Sequence, residues 1–295
     1  MPDSPQRPAV LCLSGLDPSG GAGIQADIET LQSLGCHCLP VVTCLTVQNS
    51  RDVFQIENVA PRTLLAQART VLADIDARCI KIGLIGSIEG IEVIRELLHE
   101  YPTIPVVLDP ILRAGGGFDL GGEEIAEALR ERLLPLCTLV TPNTHEAALI
   151  AGVGSEPASW AQAIVDLGCP YAAITGTHEN EAAGSSDRVA NRLFGRAGLL
   201  AEEACERLPY SYHGSGCTFA AAIAAGLATR LATGLATRDT LSRGDAQSDA
   251  MVDAFRHAQA FTYASLVKAQ QLGAGQWLPS RAPLARTRGE GDAHL

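Results

Sequence analysis

Lysine is almost missing from this sequence. Twenty of the 22 basic residues are arginine, and Lys81 and Lys268 are the two exceptions. No Gly-Lys pair occurs anywhere in the chain, which excludes a Walker-type phosphate loop. Nor is there a cluster of Lys and Arg. With a formal net charge of −11, nucleic acid and anionic membrane surfaces are not expected as partners. No apolar run approaches the roughly 18 residues that a membrane span requires. The opening "MPDSPQRPAVLCLSG" places an acid and three prolines ahead of a short apolar run, unlike a secretory signal. The nine cysteines are scattered and odd in number, with no C-x-x-C and no paired Cys/His spacing. That argues against a zinc site and against a disulfide scaffold. Several lie in apolar runs such as "VLCLSG" and "VVTCLTV" and read as buried, reduced thiols of a cytoplasmic protein.

What the chain does contain is an alternation. With 295 residues, 46% hydrophobic and 19% charged, it has the make-up of a soluble globular protein of one large domain or two. Short apolar runs at 9–15, 38–46, 79–86, 105–110, 137–143 and 171–177 read as strands. Helical segments are expected at about 23–34, 61–74, 88–99, 123–133, 216–231 and 247–271. Continuously apolar strands separated by helices imply an α/β fold with a mainly parallel sheet covered on both faces. Residues 188–208 break the rhythm and read as an antiparallel hairpin at a sheet edge. No linker divides the chain, so a single domain over 1–295 is expected, with a disordered tail from about Ser280.

Glycine-rich and polar residues gather just after the strands, where open α/β sheets bind ligands. "SGLDPSGGAGIQAD" (14–27) joins a strand to a helix through a glycine loop. Gly21, Gly23 and Ala26 meet a loose G-x-G-x-x-A pattern. However, five residues separate Gly15 from Gly21, and the next strand ends in "TCLTVQN" without an acid for a ribose. A ligand-free glycine turn is the plain alternative. Gln48 in "TVQN" carries both a donor and an acceptor for a heterocycle, or is a surface-turn residue. "LDPILRAGGGFDLGG" (108–122) sets Asp109 at a strand end, followed by five glycines and one cation, Arg113. A simple flexible loop would look the same. "TPNTHEAA" (141–148) offers Asn143 and Glu146 either as a capping box or as organisers of a hydrated divalent metal. "SYHGSGCTFAAAIAAGL" (211–227) runs Gly214-Ser215-Gly216 into a helix with Cys217 on its first turn. Unpaired N–H groups there suit an anion, while a small helix-packing thiol is the structural alternative.

In order, the segments "SGLDPSGGAGIQAD", "TCLTVQN", "KIGLIGS", "VVLDPIL", "TPNTHEAA" and "HGSGCT" resemble the hydroxymethylpyrimidine/phosphomethylpyrimidine kinases of thiamine biosynthesis. These belong to the ribokinase superfamily, and the resemblance spans about residues 9–278. It implies a ribokinase-like fold, ATP and Mg2+ as cofactors, a small-molecule pyrimidine substrate and a homodimer. Cys217 stands where most of the superfamily has an aspartate base, and the N–H groups of Gly214, Ser215, Gly216 and Cys217 form the anion hole. Gln48, Gly15, Asp17, Gly21, Ala22, Gly23, Asp27 and Leu84 are implied on the pyrimidine. Asp109, Asn143 and Glu146 are implied at the magnesium and phosphates, with Asp109 and Glu146 at the metal; Arg113, the one basic residue of the glycine loop, is expected on the nucleotide in place of the missing lysines, together with Thr175 and Gly176. Two departures stand out. Many relatives carry Ala-Lys-Ser-Gly where this chain has "RAGGG", and Lys-Gly-Gly-His where it has "TGTH". Three alternatives remain open: a pyridoxal/pyridoxine kinase on the same fold, a non-catalytic vitamin- or nucleotide-binding protein, and a dinucleotide oxidoreductase.

Overall fold

A run of alternating apolar residues with no solvent-facing side is built for the middle of a covered sheet. The first strand, β1 (Ala9–Leu16), is such a run, buried at every position but its last. In the structure, a computed structural model that describes residues 7–113, 122–176, 187–237, 240–241 and 249–282, β1 lies inside a nine-stranded sheet. The other strands are β2 (His37–Gln48), β3 (Val53–Asn58), β4 (Ala77–Ile82), β5 (Val106–Leu108), β6 (Leu139–Val140), β7 (Tyr171–Thr175), β8 (Arg188–Gly195) and β9 (Gly198–Glu206). Their order is β3-β2-β1-β4-β5-β6-β7-β8-β9. The six strands from β2 to β7 run parallel, and antiparallel pairs close both edges.

The two faces of β1 feed two cores. Ala9, Leu11 and Leu13 join Ile80 and Ile82 on one side. There they meet α2 (Pro61–Asp74), α3 (Ile88–Glu100), α4 (Gly122–Ala128), α5 (Thr144–Ala151) and α6 (Pro157–Asp166). Val10 and Cys12 join Cys79, Val107 and Tyr171 on the other side. That face is covered by α1 (Gly23–Ser33), α7 (Ser215–Ala232) and α8 (Asp249–Val267). The sequence contains no unbroken apolar run of that length. Even so, α7 is long and apolar enough by composition to cross a membrane, because its alanines count as apolar. It packs as a core helix, with eleven buried residues from Cys217 to Ala228.

The expected hairpin is present as β8 and β9, paired from Arg188↔Glu206 to Gly195↔Gly198 across a two-residue turn. The opposite edge is not in the sequence reading. β2 runs on past residue 46 and turns back as β3, which buries only Val53 and so carries no core-facing period. The helix expected at 123–133 is α-helical only to Ala128. Leu129–Leu133 then widen into a π turn, and Leu134–Leu136 tighten into a 3-10 turn around Pro135. Most of the tail expected from about Ser280 lies outside the described residues, but its start is ordered. Arg281 is 3% exposed and hydrogen-bonded to Thr218, while residues 283–295 lie outside those described. All nine cysteines are free, seven of them buried.

One polar cluster interrupts the apolar interior. Lys81 on β4 and Asp27 on α1 are both fully buried, with Nζ 2.9 Å from Oδ1. Ser14 on β1 donates to Asp27 Oδ2 at 2.6 Å and lies 3.2 Å from Lys81 Nζ. The cluster ties α1 to two strands, and it corrects the expected place of Asp27 on the pyrimidine. A carboxylate sealed from solvent and held by an ammonium has no face for a ligand. Breaking such a pair leaves a charge without a partner. Lys81→Met is therefore expected to lower stability by about 3–5 kcal/mol in urea unfolding, and Lys81→Met/Asp27→Leu by much less than two independent losses. A double-variant loss equal to the sum of the Lys81→Met and Asp27→Leu losses would show that the pair is not coupled.

Candidate active site

The parallel strands end along one rim, and a cavity of about 550 Å³ opens there. Its wall takes Gly15, Asp17, Ala22 and Gly23 from the loop after β1, Gln48 from the end of β2 and Leu84 from beyond β4. Asp109, Asn143 and Thr175 come from the ends of β5, β6 and β7, and Gly214–Cys217 from the start of α7. This is the carboxyl-end crevice expected of an open α/β sheet.

Two glycine turns face each other across the wall. Gly214, with φ +78°, is the N-cap of α7, and a Cβ there would strike the Gly21 carbonyl. Gly23, with φ +57°, opens α1, and a Cβ there would strike the Gly15 carbonyl. Both positions combine a left-handed backbone with close approach, which only glycine meets. The first N–H groups of α7 have no intrahelical partner and line the cavity, so the turn is a cradle for an anion.

Asp17 organises the first turn. Its oxygens accept from Ser19 N at 2.8 Å, Ser19 Oγ at 2.9 Å and Ala22 N at 2.8 Å, and His213 Nε2 lies 2.8 Å away. Burial pushes this carboxyl up, but the bonds to His213 and Ser19 outweigh it and hold the group well below the usual carboxylate range. Asp17 thus lines the cavity with its acceptors already used. Gly21 and Gly176 stand behind the wall instead of in it. The Gly21 carbonyl accepts from Arg281 Nη2 at 2.5 Å, and Gly176 N donates to Asn191 at 3.0 Å.

Cys217 is 5% exposed, on the first turn of α7. Burial pushes its thiol up to about 12, the charges of Asp109 and Asp27 push the same way, and Lys81 opposes them. Bringing such a thiol to half-ionisation at neutral pH would take on the order of 7 kcal/mol. A helix N-terminus supplies about 0.3–1. Cys217 rests as a thiol beside the Asp109 carboxylate, and each shifts the other's titration. Asp109 itself is pushed up to about 6 by burial despite the pull of Lys81, and its Oδ2 is buried with no hydrogen-bond partner.

The capping box is formed: Asn143 Oδ1 accepts from Glu146 N and Glu146 Oε2 from Asn143 N, both at 2.9 Å. Burial and the neighbouring Asp109 charge push Glu146 up to about 8. Among the described residues, no group of three or more His, Cys, Asp or Glu side chains is placed to hold a metal. Arg113 is exposed at the cavity wall, and the glycine run that follows it lies outside the described residues, as does "TGTH" beyond Gly176.

Sequence reading missed His213, Arg51 and Asp52 of the β2–β3 turn, and an aromatic rim. In that rim Tyr210 stacks on Trp277 at 4.0 Å and 5°, and Tyr212 meets Tyr210 edge-on at 6.4 Å. The one available signal was local: Tyr212 and His213 directly precede Gly214.

A mainly parallel sheet with helices on both faces, an antiparallel edge hairpin and an anion cradle at the strand ends defines a kinase of the ribokinase-like class. The family model for phosphomethylpyrimidine kinase matches residues 17–242. A hydroxymethylpyrimidine/phosphomethylpyrimidine kinase of Rhizobium meliloti (strain 1021) is 35% identical over 272 residues, covering 90% of this chain and 93% of that protein. The chain belongs to the phosphomethylpyrimidine kinase family. Among solved structures, a Bacillus subtilis pyridoxal kinase in an ADP complex is similar at TM-score 0.76 and 27% identity, covering 94% of this chain and 98% of that one. A phosphomethylpyrimidine kinase of Clostridium difficile 630 is similar at TM-score 0.67 and 28% identity, covering 86% and 99%.

The raised carboxyls set a pH dependence. An unfolded glutamate releases its proton near pH 4.3, whereas Glu146 keeps it to about 8 in the fold. Its stabilising contribution is therefore complete below about pH 4 and is lost as pH rises through 8. The ligand-free melting temperature is expected to fall between pH 5 and 8, and Glu146→Gln to flatten that slope. Equal slopes in wild type and variant would contradict the assignment.

Proposed function

We propose that this chain transfers the γ-phosphoryl group of ATP to the hydroxymethyl group of 4-amino-5-hydroxymethyl-2-methylpyrimidine, and then phosphorylates that monophosphate. The observation that carries the reading is the Gly214–Cys217 cradle facing Asp109 and Gln48 across one cavity. Gln48, Leu84, Gly15, Ala22 and Gly23 hold the pyrimidine. The N–H groups of Gly214, Ser215, Gly216 and Cys217 receive the charge of the transferring group, in a reaction that depends mainly on alignment and charge stabilisation.

Asp109 and Glu146 would hold a hydrated Mg2+. The partnerless buried Oδ2 of Asp109 fits a cation, which when bound neutralises phosphate charge. As the substrate oxygen bonds to phosphorus and ADP leaves with the bonding pair, the alcohol proton passes to Cys217 Sγ. The S–H proton of Cys217 moves to an oxygen of the transferred phosphate in the same event, so a thiol at rest serves as the acceptor and Asp109 stays free to hold the cation. Asn143 and Thr175 flank the phosphates, and Arg113 supplies the cation that the missing lysines do not.

A coupled ADP-release assay tests this reading. ATP turnover is expected only with the pyrimidine present, and Cys217→Ala is expected to fold and lose about 10²–10⁴-fold. Cys217→Asp is expected to recover part of that loss. In the same assay Arg113→Ala raises the KM for ATP more than that for the pyrimidine. Wild-type turnover in Cys217→Ala removes the assignment. The higher TM-score to a pyridoxal kinase favours one second reading, turnover of pyridoxal; faster turnover of pyridoxal than of the pyrimidine would select it.

The proposal extends to a homodimer. Leu16 and Leu45 are register partners at the β1–β2 end and, with Val47, leave an exposed apolar strip. Sedimentation at micromolar concentration is expected to give a dimer that Leu45→Glu/Val47→Glu dissociates. A monomeric wild type would refute it.

A further inference from the structure

The segment after α8 contains a buried charge that the cavity does not use. Arg281 lies beyond the region matched by the family model and does not line the cavity, and its side chain is 1% exposed. Each part of its guanidinium has a task. Nη2 donates to the Gly21 carbonyl at 2.5 Å, Nε to Thr218 Oγ1 at 2.7 Å and Nη1 to Glu29 at 3.2 Å. Thr218 Oγ1 in turn donates to the Gly214 carbonyl at 2.8 Å. The Arg281 carbonyl is held by Ser33 Oγ, which anchors the segment to the end of α1.

These bonds connect the two glycine turns. Gly21 belongs to the turn that presents Ala22 and Gly23 to the cavity, and Gly214 begins the turn that presents the N–H cradle. The turns touch where Gly214 meets the Gly21 carbonyl, with no side chain between them. Nothing in glycine backbone alone fixes such a contact. A planar guanidinium with donors in a rigid fork does, because it binds one turn directly and the other through a hydroxyl whose own proton is committed.

We propose that Arg281 is a positioning residue for phosphoryl transfer, setting the cradle of Gly214–Cys217 against the substrate loop through Gly21 and Thr218. This rests on the phosphoryl-transfer reading above. A small misplacement of a cradle lowers turnover more than it weakens ground-state binding.

The test uses the full chain in the ADP-release assay with the pyrimidine and ATP, below the melting temperature of each variant. Arg281→Ala is expected to lose about tenfold or more in kcat with the pyrimidine KM within about threefold, and guanidinium at millimolar concentration to restore part of kcat. Thr218→Val, which removes the relay and keeps the volume, is expected to show the same split, with Thr218→Ser near wild type. Thr218→Val also decides the matter if Arg281→Ala does not fold. Folded variants with kcat within about twofold of wild type would overturn the role and leave a purely structural arginine. A wild type without pyrimidine-dependent ADP release would instead overturn the phosphoryl-transfer reading itself.

Discussion

The structure depends on one buried ammonium. Lys81 sits in the central part of the sheet, neutralised by Asp27 and bridged by Ser14, between the apolar faces of β1 and β4. Burial alone would drive such a lysine to shed its proton, but the surrounding negative charges, Asp27 first, hold it well above its ordinary pKa. The charge is therefore permanent. It also reaches the catalytic rim, where it pulls the Asp109 carboxyl and the Cys217 thiol down from where burial would leave them. A buried ion pair is poor evidence for stability as such, since apolar replacements often do as well. Its value here lies in fixing α1 against β1 and β4 and in placing a positive potential beneath the site.

Above that charge, the inner wall of the cavity is assembled from two glycine-rich turns. The glycine turns permit backbone approach where a Cβ would collide, and the capping interactions supply what glycine cannot. Asp17 gathers the N–H groups of Ser19 and Ala22 together with His213, so the first turn is rigid before any ligand arrives. Asn143 and Glu146 do the same for α5. The choice posed for Glu146, between cap and metal organiser, dissolves in this geometry. A carboxylate locked by its own helix terminus is also one held in a fixed place beside Asp109. Its raised pKa is the electrostatic cost of that burial beside Asp109.

Legibility in the sequence followed distance along the chain. The apolar runs gave the parallel strands, because burial on both faces writes a continuous pattern. The capping box was readable because its partners are three residues apart. β3 escaped because an edge strand with one buried residue writes no pattern. The partnerships that were missed are all remote: Lys81 and Asp27 are 54 residues apart, His213 and Asp17 are 196, and Arg281 and Gly21 are 260. Asp27 looked like a ligand contact because it closes a motif, and only the sheet order brings Lys81 beneath it. Composition misled at the tail as well. A segment rich in arginine, proline and glycine carries no periodicity, yet its first arginine is nearly sealed from solvent.

The scarcity of lysine then takes on a structural meaning. One of the two lysines is sealed under the site, and the other, Lys268, is exposed beyond the end of α8 and does not line the cavity. Arginine is a planar, permanently charged donor whose fork matches phosphate and carbonyl oxygens. Two arginines stand at the periphery of the site, Arg113 at the cavity wall and Arg281 behind the Gly214 turn. The innermost contacts to an anion are left to backbone N–H groups, whose end-of-helix dipole is worth only about 0.3–1 kcal/mol to a charge at its terminus. That dipole adds to the N–H hydrogen bonds themselves, and both depend on alignment, which is what two opposed glycine turns are built to hold.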